Sequence, residues 1–233
     1  NRDALARINE LRGVTLATIA RYSAVAPRKM IATLKTIGLA LPEATLREAE
    51  TIVGARGKTM SIATVQRHKI AIVLTGSANG KARVQATFAP PIRARIEELG
   101  AQVIAEDYVG EEESEIAAAI DRAAHAGAQM IILAGETSVM DAEDITPRGI
   151  TRAGGEIELY GAPVEPGNLL LLAYKPCEGS EPSQGSVIPI VGAPGCIKSR
   201  ETNVVDLILP RLLIGERVTR ADVIELAEGG LLQ

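Results

Sequence analysis

Aromatic residues are almost absent from this chain of 233 residues, which contains no Trp, one Phe and four Tyr. The core must therefore be built from Ala, Val, Ile and Leu, because the hydrophobic fraction is still 46%. This composition suits buried parallel strands that are covered by helices. The length predicts one domain of about 150 residues together with a smaller one.

Other scarcities exclude whole classes of protein. Cys177 and Cys196 are the only two cysteines, which fits a reducing cytoplasm better than a disulfide-stabilised secreted fold. His68 and His125 lie far apart, with no Cys or carboxylate at ligand spacing, so a dedicated zinc site is not expected. No block of Lys and Arg is interleaved with aromatics, and the net charge is −4. Nucleic acid is therefore not an expected partner.

Long apolar runs are also missing. None reaches the roughly 18 residues of a membrane span, and no signal-peptide pattern is visible. We therefore expect a cytoplasmic protein with no membrane partner. Because the chain begins at Asn1 rather than Met, we also expect it to be a piece of a longer protein.

The apolar pattern divides the chain into two parts. Residues 1–66 predict a small β-rich accessory unit, with a hairpin-like pair at residues 14–19 and 30–37 and a helix that opens at Pro42. Residues 67–233 alternate between short apolar strands and amphipathic helices. This alternation predicts a three-layer α/β domain, in which a mostly parallel sheet has helices on both faces.

The first predicted strand of that domain ends in Thr75, Gly76 and Ser77. Backbone amides and a hydroxyl in such a turn can face an anion, although the same residues also suit an ordinary connection between a strand and a helix. Lys81 and Arg83 follow closely and are able to neutralise a phosphate. They are equally typical of solvated surface charges.

Acidic residues follow the next two strands. Glu111 begins a run of three glutamates that either complements the dipole of a helix or lets Glu111 hold a metal ion or a polar ring. Asp141 and Asp144 are three residues apart, a spacing that places both carboxylates on one side of a helical turn. Two such acids can bind Mg²⁺ beside a phosphate, or one of them can cap a helix. Thr137 and Ser138 add hydroxyls to this loop.

Two Pro-Gly turns adjoin further strands. Pro-Gly most often makes a simple tight turn, but the second one leads into two cations and a hydroxyl that suit a phosphate or pyrophosphate. Cys196 is expected to be a packed side chain, because no neighbouring His supports a thiolate. The candidate residues of these turns are Pro166, Gly167, Pro194, Gly195, Lys198, Ser199 and Arg200.

In their order and spacing these segments resemble the molybdopterin-binding domain shared by molybdopterin adenylyltransferase and molybdenum insertase enzymes. The resemblance covers residues 69–217. The family's Thr-Gly strand end is matched by Thr75 and Gly76, and its acidic Asp-Asp step by Glu111 and Glu112. Its Gly-Gly-x-Ser-x-Gly-Asp loop is matched by residues 135–141, and its two Pro-Gly turns by residues 166–167 and 192–197.

A closer similarity is to a divergent bacterial branch, in which this domain is often joined to a nucleotidyltransferase domain of the molybdenum-cofactor cytidylyltransferase type. The pattern Val-x-Pro-Gly-Asn-Leu-Leu-Leu-Leu stands at residues 164–172, and Gly-Ala-Pro-Gly-Cys stands at residues 192–196. Segments 15–18 and 30–35 also resemble that branch, which extends the similarity over almost the whole chain.

The resemblance implies that the chain binds molybdopterin or its nucleotide form in molybdenum-cofactor biosynthesis, as the substrate-holding part of a larger, homo-oligomeric protein. Two alternatives remain open. One is a transfer enzyme for nucleotidyl groups or molybdenum, in which Glu111 and Asp141 are catalytic and hold Mg²⁺. The other is a non-catalytic regulatory or oligomerisation module that has lost the ligand. The ligand-binding residues that the resemblance implies are Thr75, Gly76, Gly135, Thr137, Ser138, Asp144, Pro166, Gly167, Pro194, Gly195, Lys198 and Ser199.

Three residues depart from the family pattern. Glu136 and Met140 replace loop glycines, so side chains stand where backbone approaches the ligand. The carboxylate of Glu136 would repel a phosphate unless a metal intervenes. Glu111 replaces an Asp, which moves the carboxylate by about one methylene and disturbs metal geometry.

Overall fold

The computed structural model describes residues 1–55, 59–136, 141, 143–177 and 187–232. Its internal contacts divide the chain into two compact units, Asn1–Thr64 and Val65–Gln233. Thr137, Ser138 and Met140 of the candidate site lie outside the described residues, as does the polar loop 178–184.

The smaller unit contains a two-stranded antiparallel sheet, which confirms the predicted hairpin-like pair. Val14 pairs with Thr36 at one end of this sheet, and Thr18 pairs with Ala32 at the other. The unit also contains a helix that the apolar pattern did not indicate, so the β-rich description was incomplete. Asn1 caps this helix by accepting a hydrogen bond from the backbone N–H of Ala4 at 3.1 Å. The elements are α1 (Arg2–Glu10), β1 (Val14–Thr18), β2 (Ala32–Thr36) and α2 (Glu43–Ala55).

The larger unit has a six-stranded sheet in the order β4-β3-β5-β8-β7-β6. Strands β4, β3, β5 and β8 are parallel, while β7 runs antiparallel to both of its neighbours. The predicted mostly parallel sheet is therefore confirmed. Its strands are β3 (Lys69–Thr75), β4 (Gln102–Val109), β5 (Met130–Gly135), β6 (Glu156–Tyr160), β7 (Leu171–Pro176) and β8 (Val187–Gly192). The helices are α3 (Lys81–Glu98), α4 (Glu113–His125), α5 (Ile145–Arg152), α6 (Val204–Leu213) and α7 (Arg220–Ile224).

Alternate residues of the buried strands face two separate cores. Ile70, Ile72 and Leu74 of β3 belong to the core under α3 and α6, whereas Ala71 and Val73 face the core under α4 and α5. All five side chains are at most 1% exposed. Burial on both faces explains why β3 is an unbroken apolar run, and it places helices on both sides of the sheet.

Two helices extend beyond what their prolines suggest. Helix α3 contains Pro90 and Pro91 and yet runs unbroken from Lys81 to Glu98. Helix α6 continues through Pro210. Each proline removes a backbone donor, but buried side chains such as Phe88 of α3 hold these helices against the sheet. Tertiary packing thus outweighs the local penalty.

The parallel register gathers the functional loops at one edge of the sheet. Thr75 pairs with Val109 on one side and with Gly135 on the other, so β3, β4 and β5 end together. Gly192 at the end of β8 pairs with Leu133 and with the start of β7. The segments after these strands therefore share the carboxyl edge of the sheet, where open α/β sheets bind ligands. Among the described helices, none is long and apolar enough to cross a membrane.

Candidate functional site

The carboxylate of Glu136 is held by three donors at the carboxyl edge. The backbone N–H and the hydroxyl of Ser77 each donate to Oε2 at 3.1 Å. The guanidinium of Arg83 pairs with Oε1. We call these three donors the anion cradle, because an N–H, a hydroxyl and a guanidinium are groups that bind phosphates and carboxylates.

The cradle forms where β3 passes into α3. Ser77 opens a short 3₁₀ turn, Ala78–Gly80, by accepting a hydrogen bond from the N–H of Gly80 at 3.2 Å. Helix α3 starts at the next residue, Lys81. The positive end of the helix dipole therefore lies beside the cradle and favours a negative charge there.

Gly76 is required in this turn because two side chains close over it. A Cβ at this position would lie 2.6 Å from the hydroxyl of Tyr108 and 3.1 Å from Oε2 of Glu136. Tyr108 donates its hydroxyl hydrogen to the carbonyl O of Ser77 at 2.6 Å. Burial and the negative charge of Glu111 raise the pKa of Tyr108, while Arg83 acts in the opposite direction. Tyr108 is thus a neutral support that fixes the Ser77 backbone.

Thr75 and Gly135 pack against each other where β3 and β5 end, next to this turn. Thr75 is 5% exposed. Its carbonyl O would lie 2.7 Å from a Cβ at position 135, and its hydroxyl would clash with the same atom. Position 135 must therefore be glycine, because any side chain there would collide with Thr75. The Thr75 side chain packs against β5 instead of facing solvent.

Asp141 and Asp144 form a separate acid turn before α5. The backbone N–H of Asp141 donates to Oδ2 of Asp144 at 2.9 Å, and the N–H of Glu143 donates to Oδ1 of Asp141 at 2.9 Å. Asp144 occupies the N-cap position of α5, although its side chain makes no capping bond. Asp141 precedes the helix, and the N–H of Asp144 donates to its carbonyl O at 3.2 Å, so the two acids belong to one turn at the start of α5. Burial raises the pKa of Tyr160, and the negative charges of Asp144 and Asp141 raise it further.

The predicted metal ligands do not form a closed protein site. Within the described part of the chain, no three His, Cys, Asp or Glu side chains come together as metal ligands. Any Mg²⁺ at Glu111 or Asp141 would need water and substrate oxygens for its remaining ligands, which is the usual way in which proteins bind this ion.

The family model for the Probable molybdopterin binding domain matches residues 71–213, which is more than half of the chain. The chain belongs to this family. No curated protein matches the sequence.

Among solved structures, this family member is similar to a protein assigned to molybdenum cofactor biosynthesis from Corynebacterium diphtheriae. The two are 18% identical with a TM-score of 0.46, over 66% of this chain and 100% of that one. The tungsten cofactor synthesizing protein MoaB from Pyrococcus furiosus is 15% identical with a TM-score of 0.43, over 65% of this chain and 94% of that one. The molybdopterin biosynthesis moeA protein from Pyrococcus horikoshii OT3 is 13% identical with a TM-score of 0.37, over 78% of this chain and 42% of that one.

The first Pro-Gly turn packs against the start of α6. The N–H of Val204 donates to the carbonyl O of Pro166 at 3.1 Å. A Cβ at Gly167 would lie 3.0 Å from the backbone N of Val204, and Gly167 has a positive φ of 125°. The tight-turn interpretation of Pro166 and Gly167 explains both residues without a ligand.

The second Pro-Gly turn does not gather its cations as predicted. Arg200 donates to both carboxylate oxygens of Glu98 at 2.6 and 2.8 Å. Glu98 ends α3, roughly 25 Å from Lys81 at 1.5 Å per helical residue. Arg200 therefore does not join the anion cradle. Ser199 is engaged locally, since its hydroxyl accepts from the N–H of Glu201 at 3.0 Å, and Lys198 is exposed.

Pro194 and Gly195 remain at the carboxyl edge, because the N–H of Ala193 donates to the carbonyl O of Leu133 at 2.8 Å. Beyond them the chain forms a 3₁₀ turn, Gly195–Lys198. Burial raises the pKa of the Cys196 thiol, which disfavours a thiolate. Cys177 and Cys196 do not form a disulfide.

Sequence reasoning missed three contributors to this region. Glu136 and Arg83 form an ion pair although they are 53 residues apart in the sequence, and no local spacing could have indicated it. Tyr108 stands near the end of an apolar strand and could be identified only once its neighbour β3 was known. Arg95 of α3, which donates to carbonyls of the segment after the second Pro-Gly turn, gave no signal because a single Arg in a helix resembles a surface charge.

Proposed function

We propose that this chain binds molybdopterin, or its nucleotide form, in molybdenum-cofactor biosynthesis and serves as the substrate-holding part of a larger protein. The observation that carries the proposal is a phosphate-type cradle and an acid turn at the same carboxyl edge, in a chain of the molybdopterin-binding family. A phosphorylated pterin needs both kinds of partner. The same proposal includes a cytoplasmic location and a homo-oligomeric assembly.

The phosphate end of the ligand is assigned to the anion cradle. Its donors are the N–H and hydroxyl of Ser77 and the guanidinium of Arg83. Lys81 lies in the same first turn of α3 as Arg83. Charge-assisted hydrogen bonds to an oxyanion are about twice as strong as those between neutral groups. Gly76 leaves room for the side chains that border this end, because a Cβ there would lie 2.6 Å from the hydroxyl of Tyr108.

The pterin end is assigned to the acid turn. Carboxylates accept hydrogen bonds from the ring N–H and amino groups of a heterocycle. Asp141 and Asp144 provide such acceptors, and their backbone turn is closed by hydrogen bonds of 2.9 Å. Thr137 and Ser138 belong to the same loop in the sequence and complete the proposed set.

Mg²⁺ is part of the proposal as a bridge between protein and phosphate. Glu111 and Asp141 would be its protein ligands. A divalent cation supplies positive charge beside the phosphate, which offsets the surplus of carboxylates at this edge. The remaining coordination positions are left to water and phosphate, as Mg²⁺ prefers.

Calorimetric titration with molybdopterin tests the proposed site. We expect Asp141→Ala and Asp144→Ala each to weaken binding by roughly tenfold or more, because each removes an acceptor that is charged. Glu143→Ala is the matched control, since Glu143 is an exposed acid of the same turn, and it should bind like the wild type. Equal affinities for all four proteins would eliminate the acid turn as the pterin site. Turnover of molybdopterin with ATP or CTP would instead reveal a transfer enzyme.

One observation favours a second function, that of a regulatory or assembly module without a ligand. Glu136 fills the anion cradle of the chain itself, as expected if the fold had been kept and the ligand lost. Such a module would not bind molybdopterin, even after Glu136→Gly clears the cradle. Sedimentation would then show that its oligomer forms without any ligand, whereas measurable binding by the Gly variant would contradict this function.

A further inference from the structure

The Glu136 carboxylate occupies the position of a ligand anion. Oε2 accepts from both donors of Ser77, and Oε1 faces Arg83. Two glycines leave room for this carboxylate, because a Cβ at Gly80 would lie 2.7 Å from Oε2 and a Cβ at Gly76 would lie 3.1 Å from it. The cradle therefore already holds an oxyanion, which the chain supplies from the end of β5.

We propose that Glu136 is an autoinhibitory side chain, which closes the phosphate subsite until a phosphorylated ligand displaces it. This inference rests on the proposed function, since it assigns the cradle to the phosphate end of the ligand. A carboxylate and a phosphate are both anions, so they compete for the same three donors. Glu136 thus sets the affinity for phosphate without contributing a contact to the bound state.

The cradle stays in place when Glu136 leaves it. The Ser77 backbone is fixed from two sides, because Tyr108 donates to its carbonyl O at 2.6 Å and the N–H of Gly80 donates to the same atom at 2.9 Å. Neither bond involves Glu136. Displacement therefore requires a rotation of the Glu136 side chain and no change in the turn.

The two charged partners are free to separate. The Glu136 side chain is 24% exposed and that of Arg83 is 67% exposed. An ion pair with this much solvent access contributes little to stability. The closed arrangement is thus one that a competing anion in solution is able to open.

Phosphate binding measured without any pterin tests the inference. Inorganic phosphate and pyrophosphate would be titrated into the wild type, Glu136→Ala and Glu136→Gln by calorimetry. If the open state is populated to about 10% or less in the wild type, removing Glu136 improves the apparent affinity by about tenfold or more. Glu136→Gln keeps the shape without the charge, so its gain should be smaller but measurable.

Two further variants locate the effect. Glu98→Ala is the matched control. Glu98 lies at the far end of α3 from the cradle, and its carboxylate also pairs with an arginine, Arg200. This substitution changes the net charge equally and should leave phosphate affinity unchanged. Adding Arg83→Ala to Glu136→Ala should abolish most of the gain, since one donor of the cradle is then missing. Thermal melts establish that each variant is folded.

The outcomes separate this inference from the proposed function. Tighter phosphate binding by both Glu136 variants, with no molybdopterin binding by any protein, would support the inference and refute the proposed ligand. Phosphate affinities of folded Glu136→Ala and Glu136→Gln within about twofold of the wild type would overturn the inference, because the open state would then already dominate. That result would leave the Asp141 and Asp144 experiment as an independent test of the ligand.

Discussion

Arg95 is the buried link between α3 and the segment after the second Pro-Gly turn, and its replacement by Ala is the most informative change to the scaffold. Its side chain is 4% exposed. The guanidinium donates to the two carboxylate oxygens of Asp206 at 2.8 and 3.3 Å. It also donates to the carbonyl O of Ile197 at 3.2 Å and of Glu201 at 3.0 Å.

The size of the effect follows from what the truncation leaves behind. Breaking a buried ion pair by removing one partner costs about 3–5 kcal/mol. Asp206 is 28% exposed and still accepts from the N–H of Asn203 at 2.9 Å, so water and this bond recover part of the loss. We therefore expect Arg95→Ala to lower the free energy of unfolding by about 2–4 kcal/mol. For a unit of this size, in which 1 kcal/mol shifts the melting temperature by about 2–4 °C, the melting temperature should fall by roughly 4–16 °C.

Urea unfolding and thermal melts followed by circular dichroism measure this loss. Arg93→Ala is the matched control, because Arg93 lies on the same helix but is 39% exposed and pairs with Glu106 at 3.0 Å. A surface pair of this kind contributes about 1 kcal/mol or less. If Arg95→Ala proved no less stable than Arg93→Ala, the buried arginine would not anchor this segment and the reasoning would be refuted.

Two further changes test the scaffold. Gly135→Ala should lower the free energy of unfolding by about 1–3 kcal/mol, because the new Cβ meets Thr75 Oγ1 and carbonyl O; an equally stable variant in urea titration would contradict this. Burial opposes ionisation of Asp222, but hydrogen bonds from Arg211 and Thr219 prevail and lower its pKa to about 2. Since the folded pKa lies below the usual value of 3.8, this stabilisation is present above about pH 4 and is lost as the pH falls towards 2. We expect the free energy of unfolding to fall by about 1–2 kcal/mol over this pH range, as measured by urea titration. Asp222→Asn should show a smaller fall over the same range.

Periodicity predicted the sheet well because its strands are buried on both faces. An unbroken apolar run such as residues 70–74 has few structural alternatives when a glycine turn follows it. Helix α1 was missed because Ala4 and Ile8 are its only buried residues, too few to form an apolar stripe. The extent of α3 is not evident from the sequence, because Pro90 and Pro91 interrupt its pattern, whereas Val84 and Phe88 before them are buried in the helix.

The candidate site was less predictable than the fold because its contacts are made between elements. Parallel topology places the ends of β3 and β5 side by side, which the pattern of strands and helices does indicate. It does not indicate which side chains then meet. Arg200 was expected near a phosphate but pairs with Glu98. Glu136 was expected to repel a phosphate, but the sequence did not indicate that its carboxylate meets Ser77 and Arg83. Both outcomes depend on long-range partners that spacing along the chain does not encode.

The contacts of Glu136 also show what would distinguish the two proposed functions, a domain that binds a phosphorylated ligand and a module that has lost it. The donors of the cradle are the backbone and hydroxyl of Ser77 and the exposed Arg83, and Tyr108 and Gly80 hold that backbone independently of Glu136. A chain that binds phosphate and a chain that does not can therefore share every strand, turn and donor of this fold. They differ in the free energy of rotating one carboxylate out of the cradle. If that free energy is small, a phosphorylated ligand supplies it on binding; if it is large, the fold persists as a closed module.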